Sequence, residues 1–156
     1  MERTLLIIKP DAIQRNLVGR IITRFEEKGF QIMAVKMTRI PEAVIRKHYG
    51  AHEGKPFYEP LVRYMSANPV VLMVVRAKGA IAIARKMMGS TFGCDAEPGT
   101  IRGDFAVSHR FNLIHGSDSP EAAEKEIGLF FKPDEVHDVP DVQEAWRYDL
   151  STGERI

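Results

Sequence analysis

Pro69-Val70-Val71-Leu72-Met73-Val74-Val75 is the strongest strand signal in this chain, an unbroken valine-rich run entered through a proline. Ahead of it, Phe57, Leu61, Tyr64 and Met65 fall on one helical face. Behind it, Gly79 to Met88 is rich in Ala, Ile and Met and reads as another helix. The same alternation extends to both sides. Thr4 to Lys9 (TLLIIK) is a short buried strand closed by Pro10-Asp11, followed by Val18, Ile21, Ile22 and Phe25 at helical spacing and a stop at Gly29. Phe30 to Ile40 reads as a second strand, and Pro41-Glu42 opens a helix through Val44, Ile45 and His48 that ends at Gly50. Gly89 to Arg110 shows no sustained period and reads as a long loop, which at that length is more often functional than idle. Phe111 to His115 is the last strand, and Ser119-Pro120 supplies the cap and first position of a final helix with Ala123, Ile127, Phe130 and Phe131 as its buried stripe.

Four strands with helices between them suit an α+β domain: a ferredoxin-like, four-stranded antiparallel sheet with helices on one face, a long inserted loop before the last strand and a C-terminal tail. The expectation is one domain over residues 1–156, its core at about 4–131. The helix-poor tail at 132–156 is expected to serve as a surface wrap or a subunit contact.

Composition narrows the function. Lys and Arg number 22 against 21 Asp and Glu, a formal charge of +1, which argues against a main role in non-specific nucleic-acid binding. Arg102 to His109 faintly resembles an RNA-recognition strand. It places Asp104, Ala106 and His109 where base-stacking aromatics are required, so no specific nucleic acid is expected. The single Cys94 excludes an intrachain disulfide framework and fits a reducing compartment. No apolar run approaches the ~20 residues needed to cross a bilayer, and the first residues lack a cleavage pattern. A soluble cytoplasmic protein without a membrane partner is the expectation.

Chemistry concentrates near Asn112-Leu113-Ile114-His115-Gly116-Ser117-Asp118-Ser119. One reading is a turn leading to a helix cap, with His115 an ordinary satisfied histidine. The other is a nucleophilic imidazole at a strand end, oriented by Glu126 from the next helix. Lys9, Arg85, Thr91 and the glycine-flanked Arg102 lie at element boundaries and are of the types that neutralise phosphate. Each is also an ordinary surface residue if they do not converge. The chain has neither a GxxxxGK[ST] loop nor a GxGxxG turn. Phosphoryl transfer, if present, uses another design, for which a histidine nucleophile is the candidate.

Lys9-Pro10-Asp11, His48-Tyr49, Lys55-Pro56-Phe57, Pro98 to Phe105, the His115-Gly116-Ser117-Asp118-Ser119 core and Glu124-Lys125-Glu126-Ile127 occur in order between Thr4 and Phe131. As a set they resemble the nucleoside diphosphate kinases. The resemblance implies a reversible ping-pong exchange, in which a nucleoside triphosphate, usually ATP, phosphorylates His115 and a second nucleoside diphosphate collects the group. It implies that Glu126 and Ser117 orient the imidazole and that Lys9, Arg85, Thr91 and Arg102 hold phosphates. Tyr49 would support the transfer, Asn112 and Lys9 would reach the ribose, and Phe57 with Leu61 would pack on the base. Mg²⁺ is implied as a passenger on the phosphates, with water-mediated contact to Asp118. Nucleoside di- and triphosphates are the implied partners, together with further copies of the chain: a homohexamer is favoured, with a homotetramer as the alternative.

Three positions depart from the family pattern: Phe92-Gly93 stands where many members have Asn-Pro, His109 where a small apolar residue is common, and Phe111 where some carry Arg. His48, His52 and His137 are expected to be structural or surface residues.

Overall fold

A computed structural model of the chain describes residues 1–149 and 151–152. The strands are β1 (Glu2–Ile8), β2 (Gln31–Thr38), β3 (Val70–Ala77) and β4 (Ile114–Gly116). The helices are α1 (Pro10–Gln14), α2 (Val18–Glu27), α3 (Glu42–His48), α4 (Tyr58–Ala67), α5 (Ala80–Met88), α6 (Ile101–Phe105) and α7 (Pro120–Phe130). The strands form one sheet in the order β2-β3-β1-β4 with every neighbouring pair antiparallel, the ferredoxin-like arrangement.

The two central strands explain why the sheet is covered on both sides. Successive side chains of a strand point to opposite faces, yet β1 and β3 are apolar at consecutive positions. Leu6, Ile8, Val71, Met73 and Val75 pack with Ile21 and Phe25 of α2 and Ala80, Ala84 and Met88 of α5. Leu5, Ile7, Leu72 and Val74 pack on the opposite face with Ile45 of α3, Val62 and Met65 of α4, and Ile127 and Phe130 of α7. Helices on one face only is therefore corrected: α2 and α5 cover one side and α3, α4 and α7 the other. Fully burying each such aliphatic side chain is worth about 1.5–3 kcal/mol, so leaving either face bare would forgo a large part of the core.

Other boundaries also move. Pro10-Asp11 does not simply close a strand but begins α1, and the long loop contains α6. The α6 cap is Thr100, whose Oγ1 accepts a hydrogen bond from the Gly103 N–H at 3.0 Å. Gly103 is required by space: a Cβ there would lie 1.9 Å from the Glu97 carbonyl oxygen. The last strand is shorter and later than expected, because Phe111 to Leu113 approach it as irregular backbone. Ser119 caps α7 as read, its Oγ accepting from Ala122 N–H at 3.1 Å.

The tail runs back along the sheet. His137 N–H donates to the Met33 carbonyl, Gln31 donates to the Val139 carbonyl, and Arg76 pairs with Asp138. Tyr148 is buried whereas Trp146 is 88% exposed. The part of the expected tail at 150 and 153–156 lies outside the described residues.

Candidate active site

Register sets the position of His115. On β4 it pairs with Ile7 of β1, while its neighbours Ile114 and Gly116 pair with Ile8 and Leu6. Ile114 belongs to the core on the α2/α5 side. Strand alternation therefore turns the imidazole toward the opposite face, where α7 and the end of α3 lie. There His115 Nε2 is 3.1 Å from Glu126 Oε1. The other carboxylate oxygen, Oε2, accepts from Ser117 Oγ at 2.6 Å. Ser117 is itself fixed to β1, its Oγ accepting from Leu5 N–H and its N–H donating to the Leu5 carbonyl, each at 3.2 Å. When the ring is neutral, a proton on Nε2 facing the carboxylate leaves the lone pair on Nδ1. Burial works against ionisation of Glu126, but the hydrogen bond and positive field of His115, with Ser117 and His48, outweigh it. The carboxyl titrates below its usual range.

His48 is not a surface residue. Its side chain is 4% exposed, its Nδ1 is 3.7 Å from Glu126 Oε1, and its ring lies 4.8 Å from that of His115. Burial, then the neighbouring His115, pushes its pKa down to about 4. An unfolded histidine titrates near ~6.5, so between those values the unfolded chain binds the proton that the fold refuses. Stability is thus complete above that window and falls as the pH drops through it, by up to about 3 kcal/mol. Urea unfolding at pH 7 and pH 4.5 should show this loss in the parent protein and a smaller one in His48→Gln. Equal losses in the two proteins would refute it.

The cationic wall comes from a different set of elements. Lys9 follows β1, is only 8% exposed, and donates from Nζ to Asn112 Oδ1 at 2.7 Å. Burial, then the positive field of Arg102, lowers its pKa to about 8. Arg102 of α6 is also buried, and burial followed by the field of Arg85 lowers its pKa to about 10. Arg102 donates to the carbonyls of Asn112, Gly89 and Ile114 at 3.1, 2.9 and 2.7 Å. A guanidinium has about five N–H donors, so this network positions Arg102 and still leaves donors for an anion. Asn112 in turn donates from Nδ2 to the Thr91 carbonyl at 2.8 Å.

Asp11 and Tyr64 are functional supports that the sequence reading missed. Leu113 sits at φ +70, a left-handed conformation unusual for a branched residue. Its N–H donates to Asp11 Oδ2 at 3.1 Å, and its carbonyl accepts from Lys9 N–H at 2.8 Å. Tyr64 OH donates to Asp11 Oδ1 at 2.5 Å and accepts from Asp11 N–H at 3.1 Å. This latch holds the turn that delivers Ile114 and His115 into β4. The nearest signal in the sequence was the Asp of Lys9-Pro10-Asp11; nothing in the spacing of Tyr64 distinguished it from a core aromatic.

These walls enclose a cavity of about 970 Å³. Lys9, Tyr49, Phe57, Leu61, Arg85, Thr91, Arg102, Asn112, His115, Asp118 and Glu126 all line it. Ser117 does not, and acts on the cavity only through Glu126. Phe57, 48% exposed, forms an apolar rim with Leu61, while Phe92 and His109 stack on each other with ring centres 4.8 Å apart. The buried Tyr49 hydroxyl has no hydrogen-bond partner among the described residues, and burial raises its pKa. A buried polar group left this way beside a cavity is ready for a ligand oxygen.

A ferredoxin-like sheet carrying an oriented imidazole on the wall of a cationic, apolar-rimmed cavity defines an enzyme that handles phosphorylated ligands. The family model described as Nucleoside diphosphate kinase matches residues 2–136. The chain is 52% identical over 149 residues to the nucleoside diphosphate kinase of Pelotomaculum thermopropionicum, covering 96% of this chain and 100% of that one. It is also 52% identical over 137 residues to that of Methanocaldococcus jannaschii, covering 88% and 98%. Among solved structures, the halophilic nucleoside diphosphate kinase from Halobacterium salinarum in complex with CDP superposes with a TM-score of 0.92. It shares 45% sequence identity and covers 95% of this chain and 99% of that one. The chain belongs to the nucleoside diphosphate kinase family, enzymes that transfer a phosphoryl group between nucleotides.

Proposed function

We propose that the exchange runs through phosphorylation of His115 at Nδ1. The observation that carries this reading is the Ser117–Glu126–His115 chain, which engages Nε2 and leaves Nδ1 with the lone pair. Nδ1 attacks the terminal phosphorus of a nucleoside triphosphate. The N–P bond forms, the bond from phosphorus to the bridging oxygen breaks, and the nucleoside diphosphate leaves with that oxygen and its electron pair. The Nε2 proton stays in place, and Glu126 balances the positive charge on the ring. A second nucleoside diphosphate reverses the step with its own terminal oxygen as nucleophile. Little else is asked of the protein than position and charge, because a phosphoryl transition state spreads charge over peripheral oxygens.

Lys9, Arg85, Arg102 and Thr91 supply donors for the phosphates and Tyr49 a hydroxyl near the transferring group. Asn112 and Lys9 serve the ribose. Phe57 and Leu61 take the base by stacking and apolar contact, which every base can satisfy. The CDP carried by the Halobacterium salinarum relative supports a nucleoside diphosphate as ligand. For Mg²⁺ the donor set is informative: the carboxylates lining the cavity are Glu126, engaged with His115, and Asp118, in a lining that also holds Lys9, Arg85, Arg102 and Arg110. That set cannot surround an ion needing about six oxygens. It fits Mg²⁺ arriving on the phosphates, where it neutralises oxygen charge, with Asp118 holding its water shell.

Val35 and Met37, 53% and 60% exposed on the outer strand β2, support self-association. We favour a homohexamer over a homotetramer. No helix among the described residues is long and apolar enough to cross a membrane, and a cytoplasmic location is our reading.

The decisive experiment is the intact mass of the protein after brief exposure to Mg-ATP. One acid-labile phosphoryl group should appear, and GDP should remove it with formation of GTP. Turnover without any phosphorylated protein would replace this mechanism by direct transfer between two bound nucleotides.

A further inference from the structure

Away from the catalytic histidine, the turn at Gly93–Asp95 is held against the segment that follows α6. Gly93 N–H donates to the Ser108 carbonyl at 3.3 Å, and a Cβ on Gly93 would lie 2.3 Å from that of Ala106. This contact brings three metal-ligating side chains together from two segments: Cys94, Asp95 and His109, with ligand atoms all within 4.8 Å of one another. All three are exposed in the single chain, and none takes part in an ion pair or side-chain hydrogen bond among the described residues. His109 is not free to swing away, because its ring stacks on Phe92.

We propose that Cys94, Asp95 and His109 form a binding site for a zinc-class divalent cation on the rim of the nucleotide cavity. The ligand chemistry selects the ion. A thiolate with an imidazole and a carboxylate suits Zn²⁺, whereas Mg²⁺ and Ca²⁺ require oxygen. Three protein ligands leave the fourth tetrahedral position to water. Zinc bond lengths place tetrahedral ligand atoms roughly 3.3–3.7 Å apart. The present spacing must therefore close by about an ångström, within reach of the exposed Cys94 and Asp95 side chains changing rotamer. Binding exchanges the Cys94 S–H proton for the metal and releases it to solvent, forming one S–metal bond.

The chain has a single cysteine, which makes the test specific. Co²⁺ is titrated into the full-length protein in a phosphine reductant, and the thiolate-to-cobalt charge-transfer band is followed in the near ultraviolet. The histidines His48 and His115 with Glu126 also lie within ligating distance of one another, but they hold no sulfur and cannot give this band. One equivalent per chain should saturate it, and Zn²⁺ should displace the cobalt and abolish it. Cys94→Ser should remove the band, while His109→Ala and Asp95→Asn should each weaken binding by at least about tenfold, as loss of a direct ligand requires. Absence of the band at saturating Co²⁺ would overturn the site. So would a band unchanged in His109→Ala and Asp95→Asn, which would mean adventitious binding to an exposed thiolate. Saturation at one ion per two chains, with cross-linking on size-exclusion chromatography, would also overturn it.

Discussion

His115→Gln is expected to lower nucleoside diphosphate phosphorylation by on the order of 10⁵-fold or more, the scale seen when a covalent nucleophile is removed. Glutamine keeps neutral polarity and similar reach toward Glu126 but offers no basic nitrogen. Binding should survive, since the cations, Asn112 and Phe57 are untouched. Coupled-assay turnover and calorimetric GDP affinity, measured on the same preparation, separate the two effects. A rate within about tenfold of the parent would remove His115 from the chemistry. Loss of GDP binding together with loss of rate would instead assign it to ligand affinity.

Lys9→Met should move stability and activity in opposite directions. Holding a charged lysine in the apo cavity costs free energy, because the Lys9 pKa falls from 10.5 to about 8. A group whose pKa is depressed in the fold binds fewer protons folded than unfolded, so stability rises with pH between those two values. At pH 7 the penalty is about 3 kcal/mol. Methionine removes it, keeps most of the volume, and forfeits the bond to Asn112, worth about 1 kcal/mol. The net gain of about 1–2 kcal/mol should raise Tm by roughly 3–6 °C. Activity should fall by about 10²- to 10³-fold with the loss of one preorganised charge on the transferring phosphate. The rise in stability between pH 8 and 10 should vanish in the variant. A variant both slower and less stable would contradict the view that the fold bears a cost to keep this charge.

Long or strongly patterned elements were legible in the sequence. The apolar runs of β1 and β3, the spacing of α2 and the Ser119-Pro120 start of α7 all appear in the structure as read. Their continuity also contained the two-sided sheet, since a strand half open to water would have alternated. Helices α1 and α6 were missed because five residues hardly complete a turn and a half, too few to show a period. At the site, the residues carried by the family resemblance converge on one cavity, with Ser117 acting behind it. The supporting layer was opaque. His48 read only as a structural or surface residue, with nothing to place it against His115, and the Asp11–Tyr64–Leu113 latch joins three distant segments through bonds that no periodicity encodes. Arg102 was singled out as a phosphate ligand, but its three carbonyl contacts depend on where the backbone passes.

The order of strands in the sheet also governs how the chain acquires its shape during synthesis. β1 emerges first yet sits between β3 and β4, so its inner edges stay open until much later segments arrive. A hairpin can zip locally, but these pairings must first close long loops, a cost in entropy that slows folding. β4 is three residues long and takes its place only against β1. A nascent chain therefore displays an unpaired, aliphatic β1 until β3 has left the ribosome, and one open edge of β1 until residues beyond 116 follow, the interval in which aggregation competes most strongly. The His115 imidazole and the Glu126 carboxylate meet only when that closure is complete.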